Sequence, residues 1–385
     1  MVSKIVIIII VVFLVLAVLI PFGLTIAGIH IIDLGRVKNG AQEGNVLLRT
    51  EIGGKEWKNV ALSDDPRVSF PREIFTVAFH PTQPDVMYSG GKASGLLRST
   101  TQGTSWKKAD INGKILASDA DIYAIRISPR DPRVIYAAVF QQKRGRVMKS
   151  MDGGSSFQEI YSVSRDRAGV FDIFLNPYDE NFILVGTGEG GVLESRDGGT
   201  RWRTVHWFGE SVTQIAANPV LLNQMYAALG NGTLWKTSDG GLTWTEITPS
   251  RSPGNGKFIP YTPPLSPFSF IGGGSSDSGL GKFAQDPRRF NQIFVATKEG
   301  IFRSSDSGAT WRPLGIVVPR EILPAGAIAQ GAQAEEIFVG IASRLYKTEN
   351  GGVDWSFNAL PSAARITGIF IHPQKPNVIF VTLKK

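Results

Sequence analysis

The sequence predicts an all-β chain: a single seven-bladed β-propeller with a split closing blade, preceded by one N-terminal transmembrane helix. Three observations carry this expectation. An eight-residue box recurs seven times, a turn built on a polar residue and Pro (Gly in one copy) recurs in step with the boxes, and the first 32 residues are of a different material from the rest. Composition agrees, because 43 glycines in 385 residues is about 11% against a usual ~7%, and with 22 prolines this points to many tight turns between short strands.

Along the chain, the first element is the apolar segment. From Ile5 to Ile32 no residue carries a formal charge, and about 20 apolar residues cross a bilayer core. Pro21 and Gly23 lie in its second half, where they kink a helix or mark its exit from hydrocarbon. The alternative is a cleaved signal peptide, with Thr25-Ile26-Ala27 as the small-residue site; the apolar run is longer than such peptides need, so residues 1–32 are read as an anchor. Lys4 precedes the span, while Arg36 and Lys38 follow it. Split in this way, the cations give a mild preference for a C-terminal body outside the cytoplasm. Residues 33–43 then form a linker and residues 44–385 the propeller.

The best box is Ser195-Arg-Asp197-Gly-Gly199-Thr-Arg-Trp202. Others end at Trp244, Trp311, Phe157, Trp355, Trp106 and Trp57, with Asp239, Asp306 and Asp152 at the third position of their copies. Such a turn uses hydroxyl and carboxylate acceptors for its own amides, glycines for positive φ and an aromatic plug. These aspartates are therefore read as structural. Between boxes runs an apolar strand A, a polar residue with Pro, strand B, a loop and strand C; the box leads into strand D. His80 and His372 fall at the polar position beside Ser128, Asn176, Asn218, Asp286 and Gln330. They are turn formers, not ligands.

The termini complete the count. The last Pro turn, at Pro373, has no box after it, and the first box, ending at Trp57, has only a strand C before it. One blade shared between the two ends closes a ring without exposed sheet edges.

Several chemistries are excluded. With no cysteine and four histidines there is no disulfide framework, thiolate nucleophile or thiolate metal site, and no cofactor or metal is expected. Acid and base roles would need paired carboxylates, and the D to A loops carry Asp64, Asp65, Asp119, Asp121, Glu210 and Asp277. No spacing singles out a pair, so no catalytic residue is assigned.

These boxes and Pro turns resemble Asp-box (BNR-type) propellers, the group of sortilin-type receptor ectodomains, photosystem II assembly factors and xyloglucan-active hydrolases. The likeness covers residues 44–385. It implies the propeller fold, and it implies either binding of other proteins at a membrane, as for the single-ring assembly factors, or glycan chemistry. The xyloglucan hydrolases place two aspartates between two rings, and this chain has length for one; sialidases resemble six-bladed rings with an Arg-Ile-Pro motif that is lacking here.

Binding is expected opposite the boxes, on loops from D to A and from B to C. Arg72, Arg167, Arg320 and Arg365 precede strands A, where they would meet at the channel mouth and attract an acidic protein segment. Residues 141–146 form a second basic element. Pro249 to Gly281, a surplus stretch holding Tyr261, is read either as a binding loop or as a tip without order. The expected function is a membrane-anchored extracytoplasmic scaffold for a protein partner. The alternative is a glycan-binding or hydrolase-like propeller using Trp207 and Tyr261. Nucleic acid is not expected outside the cytoplasm.

Overall fold

The computed structural model describes residues 47–384 apart from 62, 64–67, 69, 72, 110–114, 252–257, 261–281, 298–299, 320–321 and 324. The segments expected to be anchor and linker, residues 1–32 and 33–43, lie outside the described residues, as do Arg72, Tyr261 and Arg320. Among the described residues no helix is long and apolar enough to cross a membrane.

Seven four-stranded antiparallel sheets form a seven-bladed β-propeller. Numbered by their A strands, the blades begin at Ile74, Asp121, Val170, Val212, Lys282, Ala327 and Arg365. Blade 7 is the split one. Its strands A (Arg365–Ile371) and B (Ile379–Lys384) pair with C (Leu47–Thr50) and D (Lys58–Asn59) from the other end of the chain, through Leu47↔Thr382 to Thr50↔Ile379. The surplus stretch after blade 4 opens as a two-stranded ribbon, Pro249–Arg251 with Phe258–Pro260.

Apolar side chains from facing sheets make seven hydrophobic clusters, one at each junction between neighbouring blades. The cluster at the junction of blades 7 and 1 joins Leu47, Val60, Val378 and Phe380 to Val77, Met87, Leu97 and Trp106. Burial against a neighbour on both sides is what holds a repeat unit that cannot bury its own faces.

Each box is locked in the same way. The fifth-position glycine N–H donates to the first-position hydroxyl at 2.7–3.2 Å in all seven copies. The fourth-position N–H donates to a carbonyl of the same blade's Pro turn at 2.8–3.2 Å, from Gly53 to Asn377 through Gly351 to Glu335. Boxes and Pro turns therefore share one face. Asp152, Asp197, Asp239 and Asp306 each accept the seventh-position N–H at 2.8–3.0 Å. The plugs tie neighbouring blades: the Nε1–H groups of Trp106, Trp202 and Trp311 donate to Val60, Ile160 and Ile247 carbonyls at 2.9, 3.1 and 2.8 Å. Phe157 is a buried apolar plug, while Trp57, Trp244 and Trp355 are half-buried.

Box 348–355 inverts the usual polarity. In blade 2, Ser156 donates to the Asp152 carboxylate; here Asn350 Nδ2 donates to Asp354 Oδ2 at 2.9 Å. Asn350→Asp is expected to set two carboxylates against each other, at a cost on the order of 0.5–1 kcal/mol. Urea unfolding checks this, and adding Asp354→Ser should restore the midpoint; a double variant as weak as the single one would refute it.

The Pro turns are capped as the sequence suggests, with one correction. His80 and His372 accept turn amides through Nδ1, as Asn218 and Asp286 do through carbonyl and carboxylate oxygens. Gln330, however, does not occupy the equivalent place. It pairs with Ile337 as the last residue of strand A, and Gly331 makes the turn's N–H bond to Glu336. This turn is one residue shorter, and Glu336 Oε2 supplies the missing acceptor, taking the Ala332 N–H at 2.8 Å.

Candidate functional site

The antiparallel order places B to C hairpins and D to A segments together on the face opposite the boxes. On that face blade 2 has the longest hairpin, strands Ile135–Gln141 and Arg144–Ser150. Its tip is bonded along the following D to A segment: Arg167 N–H to Lys143 O at 2.6 Å, Gly145 N–H to Ala168 O at 2.8 Å, and Val163 N–H to Gly145 O at 3.0 Å. The basic hairpin and the Arg165/Arg167 segment, separate in the sequence, are one ridge.

Charge on the ridge is unevenly matched. Arg144 Nε donates to Asp166 at 2.8 Å, Arg146 is paired with Glu159, and Glu189 accepts the hydroxyl of Ser164 at 2.9 Å. The Arg144 guanidinium, with Lys143 and Arg167 adding to it, holds the Asp166 carboxyl below its ordinary range. Lys143, Arg165 and Arg167 are exposed, and their side chains form no salt bridge among the described residues, although Asp166 lies within electrostatic reach of Lys143 and Arg167 and Glu189 accepts the Arg165 N–H. The backbone beneath is held in an unusual shape. Gln142, Lys143 and Arg167 have φ of 51°, 64° and 67°, the left-handed region that side chains avoid unless the surroundings impose it. Of the seven described non-glycine residues there, Arg167 alone is in neither a box nor a B to C turn.

Arg365 stands elsewhere. It opens strand A of blade 7 opposite Lys384, directly before Ile366, and burial lowers its pKa. Arg167 is three residues ahead of Val170, the corresponding residue of blade 3. The two described arginines thus occupy different levels, and the structure does not bring them together. Trp207 ends strand D of blade 3 opposite Gly191, 48% exposed.

The channel holds a cluster that the sequence reading missed. Arg126 Nη2 is 2.6 Å from Asp172 Oδ1, and Asp172 also accepts the N–H groups of Ile173 and Ile215 at 2.9 and 3.1 Å. Burial raises the Asp172 carboxyl against the pull of Arg126. Lys282 feels the Asp172 charge, and burial pushes it down to about 8. Toward the mouth Phe75 stacks on Tyr123 at 5.1 Å, and Tyr123 meets Phe171 edge-on at 5.1 Å. Burial pushes the Tyr123 hydroxyl up to about 12. The legible signal was a charge inside an apolar strand: Asp172 in VFDIFL and Arg126 in DIYAIRI.

Of the loop-face carboxylates, Asp121 accepts the Ala93 N–H at 2.7 Å and Glu73 pairs with Lys384 at 2.9 Å. Both are used by the fold. Asp64, Asp65 and Asp277 lie outside the described residues.

No family model matches the chain. Among curated proteins it is 26% identical over 253 residues to xyloglucanase Xgh74A of Acetivibrio thermocellus, an alignment covering 56% of this chain and 29% of that protein. The chain spans less than a third of the length of the curated relatives it matches. Among solved structures, the GH74 xyloglucanase of Xanthomonas campestris superposes with a TM-score of 0.59 at 14% identity, covering 88% of this chain and 52% of that one. YCF48 bound to a D1 peptide superposes with a TM-score of 0.54 at 11% identity, covering 90% of this chain and 98% of that one. These likenesses show the propeller fold.

Proposed function

We propose that the chain is a membrane-tethered, extracytoplasmic scaffold whose blade 2 ridge captures an acidic segment of a partner protein. The observation that carries this reading is the Arg167 to Lys143 backbone bond. It fixes two loops so that the exposed side chains of Lys143, Arg165 and Arg167 stand on one ridge with no salt bridge of their own among the described residues. Preorganised cations desolvate and reorganise little on binding a carboxylate-rich segment. That YCF48 is known with a bound peptide supports a single ring acting in this way.

Fluorescence anisotropy with a labelled Glu/Ser-repeat peptide tests the ridge, with the Gln/Ser peptide as control. Lys143→Glu, Arg165→Glu and Arg167→Glu together should weaken binding by about tenfold or more at low salt and leave thermal stability unchanged. Equal affinity in wild type and variant would remove the proposal. The tether, residues 1–32, rests on the uncharged run from Ile5 to Ile32. Full-length protein should stay in membranes through alkaline extraction; release into the supernatant contradicts a span.

A second reading is favoured by Trp207, an exposed ring on the loop face, and by the xyloglucanases among the relatives. In it the face binds glycan. Xyloglucan oligosaccharides that quench Trp207 fluorescence, with the quenching lost in Trp207→Ala, would favour that reading over the scaffold.

A further inference from the structure

The seven Pro turns are not chemically alike where the ring closes. Five use oxygen acceptors: Ser128, Asn176, Asn218, Asp286 and the Glu336 carboxylate of blade 6. The other two use imidazole nitrogens, and these two turns face each other across the junction of blades 1 and 7. His80 Nδ1 accepts the Gln83 N–H at 3.0 Å. His372 Nδ1 accepts the N–H groups of Gln374 and Lys375, both at 3.1 Å, and its Nε2 lies 2.8 Å from the carbonyl of Pro84 in blade 1. These contacts fix the tautomer, since an Nδ1 that accepts leaves the proton on Nε2, where it donates to Pro84.

At this junction the C-terminal hairpin of blade 7, strands A and B, meets blade 1, while strand D of the same blade leads on in sequence to blade 1. Around the His372 bond, Gln374 Nε2 donates to Pro81 O, Lys375 lies 3.6 Å from Asp85, and Arg49 donates to Gln102, which donates to Asp85. His372 packs on the Phe79 ring at 5.0 Å.

We propose that this seam is an acid-sensitive latch: protonating His372 and His80 removes the turn acceptors at the closure and loosens blade 7 from blade 1, while the other five turns hold. An imidazolium has no acceptor for the Gln374, Lys375 and Gln83 amides. The His372 charge would also arise in a buried site beside Lys375 and Arg49, with Asp85 as the opposing anion, and the His80 charge beside Arg98. Burial is the first cause holding both imidazoles below their ordinary 6.5. The sign follows from linkage: the folded state favours the neutral ring, so the contribution is complete above 6.5 and is lost as pH falls below it toward the folded values.

Hydrogen exchange of the full chain in detergent, at about pH 5 and about pH 7.5 with intrinsic rates corrected, tests the latch. Peptides covering 47–54, 80–86 and 371–384 should exchange several-fold faster in acid, and those covering the turns at 176–182 and 218–224 should not. His80→Asn with His372→Asn should abolish the difference, because asparagine already serves this position in blades 3 and 4, and Asn176 Nδ2 even makes a bond to Pro219 of the next blade at 3.2 Å. Seam exchange indifferent to pH, uniform loosening of all turns, or a response that survives both substitutions would each overturn the proposal. The wild-type comparison decides whether or not the variants fold.

Discussion

Phe380→Ala is expected to lower the unfolding free energy by about 3–5 kcal/mol, the range for emptying a buried aromatic site. Phe380 is fully buried in strand B of blade 7. Its ring lies 5.5 Å from that of Phe79 and against Gly103 of the blade 1 box, so it joins the shared blade to its neighbour. A propeller cannot lose one junction and keep the benefit of the others, because closure is what removes its sheet edges. The loss is a large part of the 5–15 kcal/mol that holds a domain together, and urea unfolding measures it. Phe357, 55% exposed, is the control, and its alanine variant should change stability by about 0.5 kcal/mol or less. Similar losses at both positions would contradict the packing described.

Gly241→Ala and Gly240→Ala should differ sharply although the residues are adjacent. Both have positive φ, 95° and 78°, so each alanine carries a backbone cost of about 1 kcal/mol. A Cβ on Gly240 meets nothing within 4 Å, whereas one on Gly241 would sit 2.1 Å from Val205 Cγ1 in the preceding blade. The overlap forces that blade's outer strand to move, adding about 1–3 kcal/mol. Gly199 and Gly308 face Ile160 and Ile247 in the same way. In blade 4 the fifth position of the box is thus a joint between blades, while the fourth faces open space. Equal thermal shifts for the two variants would show that the joint is not tight.

Much of this architecture was readable because it repeats. A hydroxyl at the first position, a glycine at the fifth and an aromatic ring at the eighth recur in all seven boxes, so an error in one copy is corrected by the others. Even the copies without Asp were legible: Thr101 accepts the Ser105 N–H at 2.9 Å where Asp does elsewhere. The shift at Gln330 was missed because a turn one residue shorter aligns equally well from either side, and only strand pairing decides between them. Sites do not repeat, and they were read less well. The ridge depends on a hydrogen bond between residues 143 and 167, which no local pattern announces, and Asp172 is matched with Arg126 only through the ring's curvature. Arg365 looked like Arg167 in sequence because both precede a strand A, yet strand register sets them at different levels.

The central claim is that the ridge, rather than basic charge in general, receives an acidic segment. Zero-length carbodiimide cross-linking of the Glu/Ser peptide to the wild-type chain, mapped by mass spectrometry, tests it most directly. The account predicts adducts concentrated at Lys143 and suppressed by added salt. Adducts spread over exposed lysines of both faces, such as Lys55 and Lys92, with Lys143 no more than one among them, would contradict it.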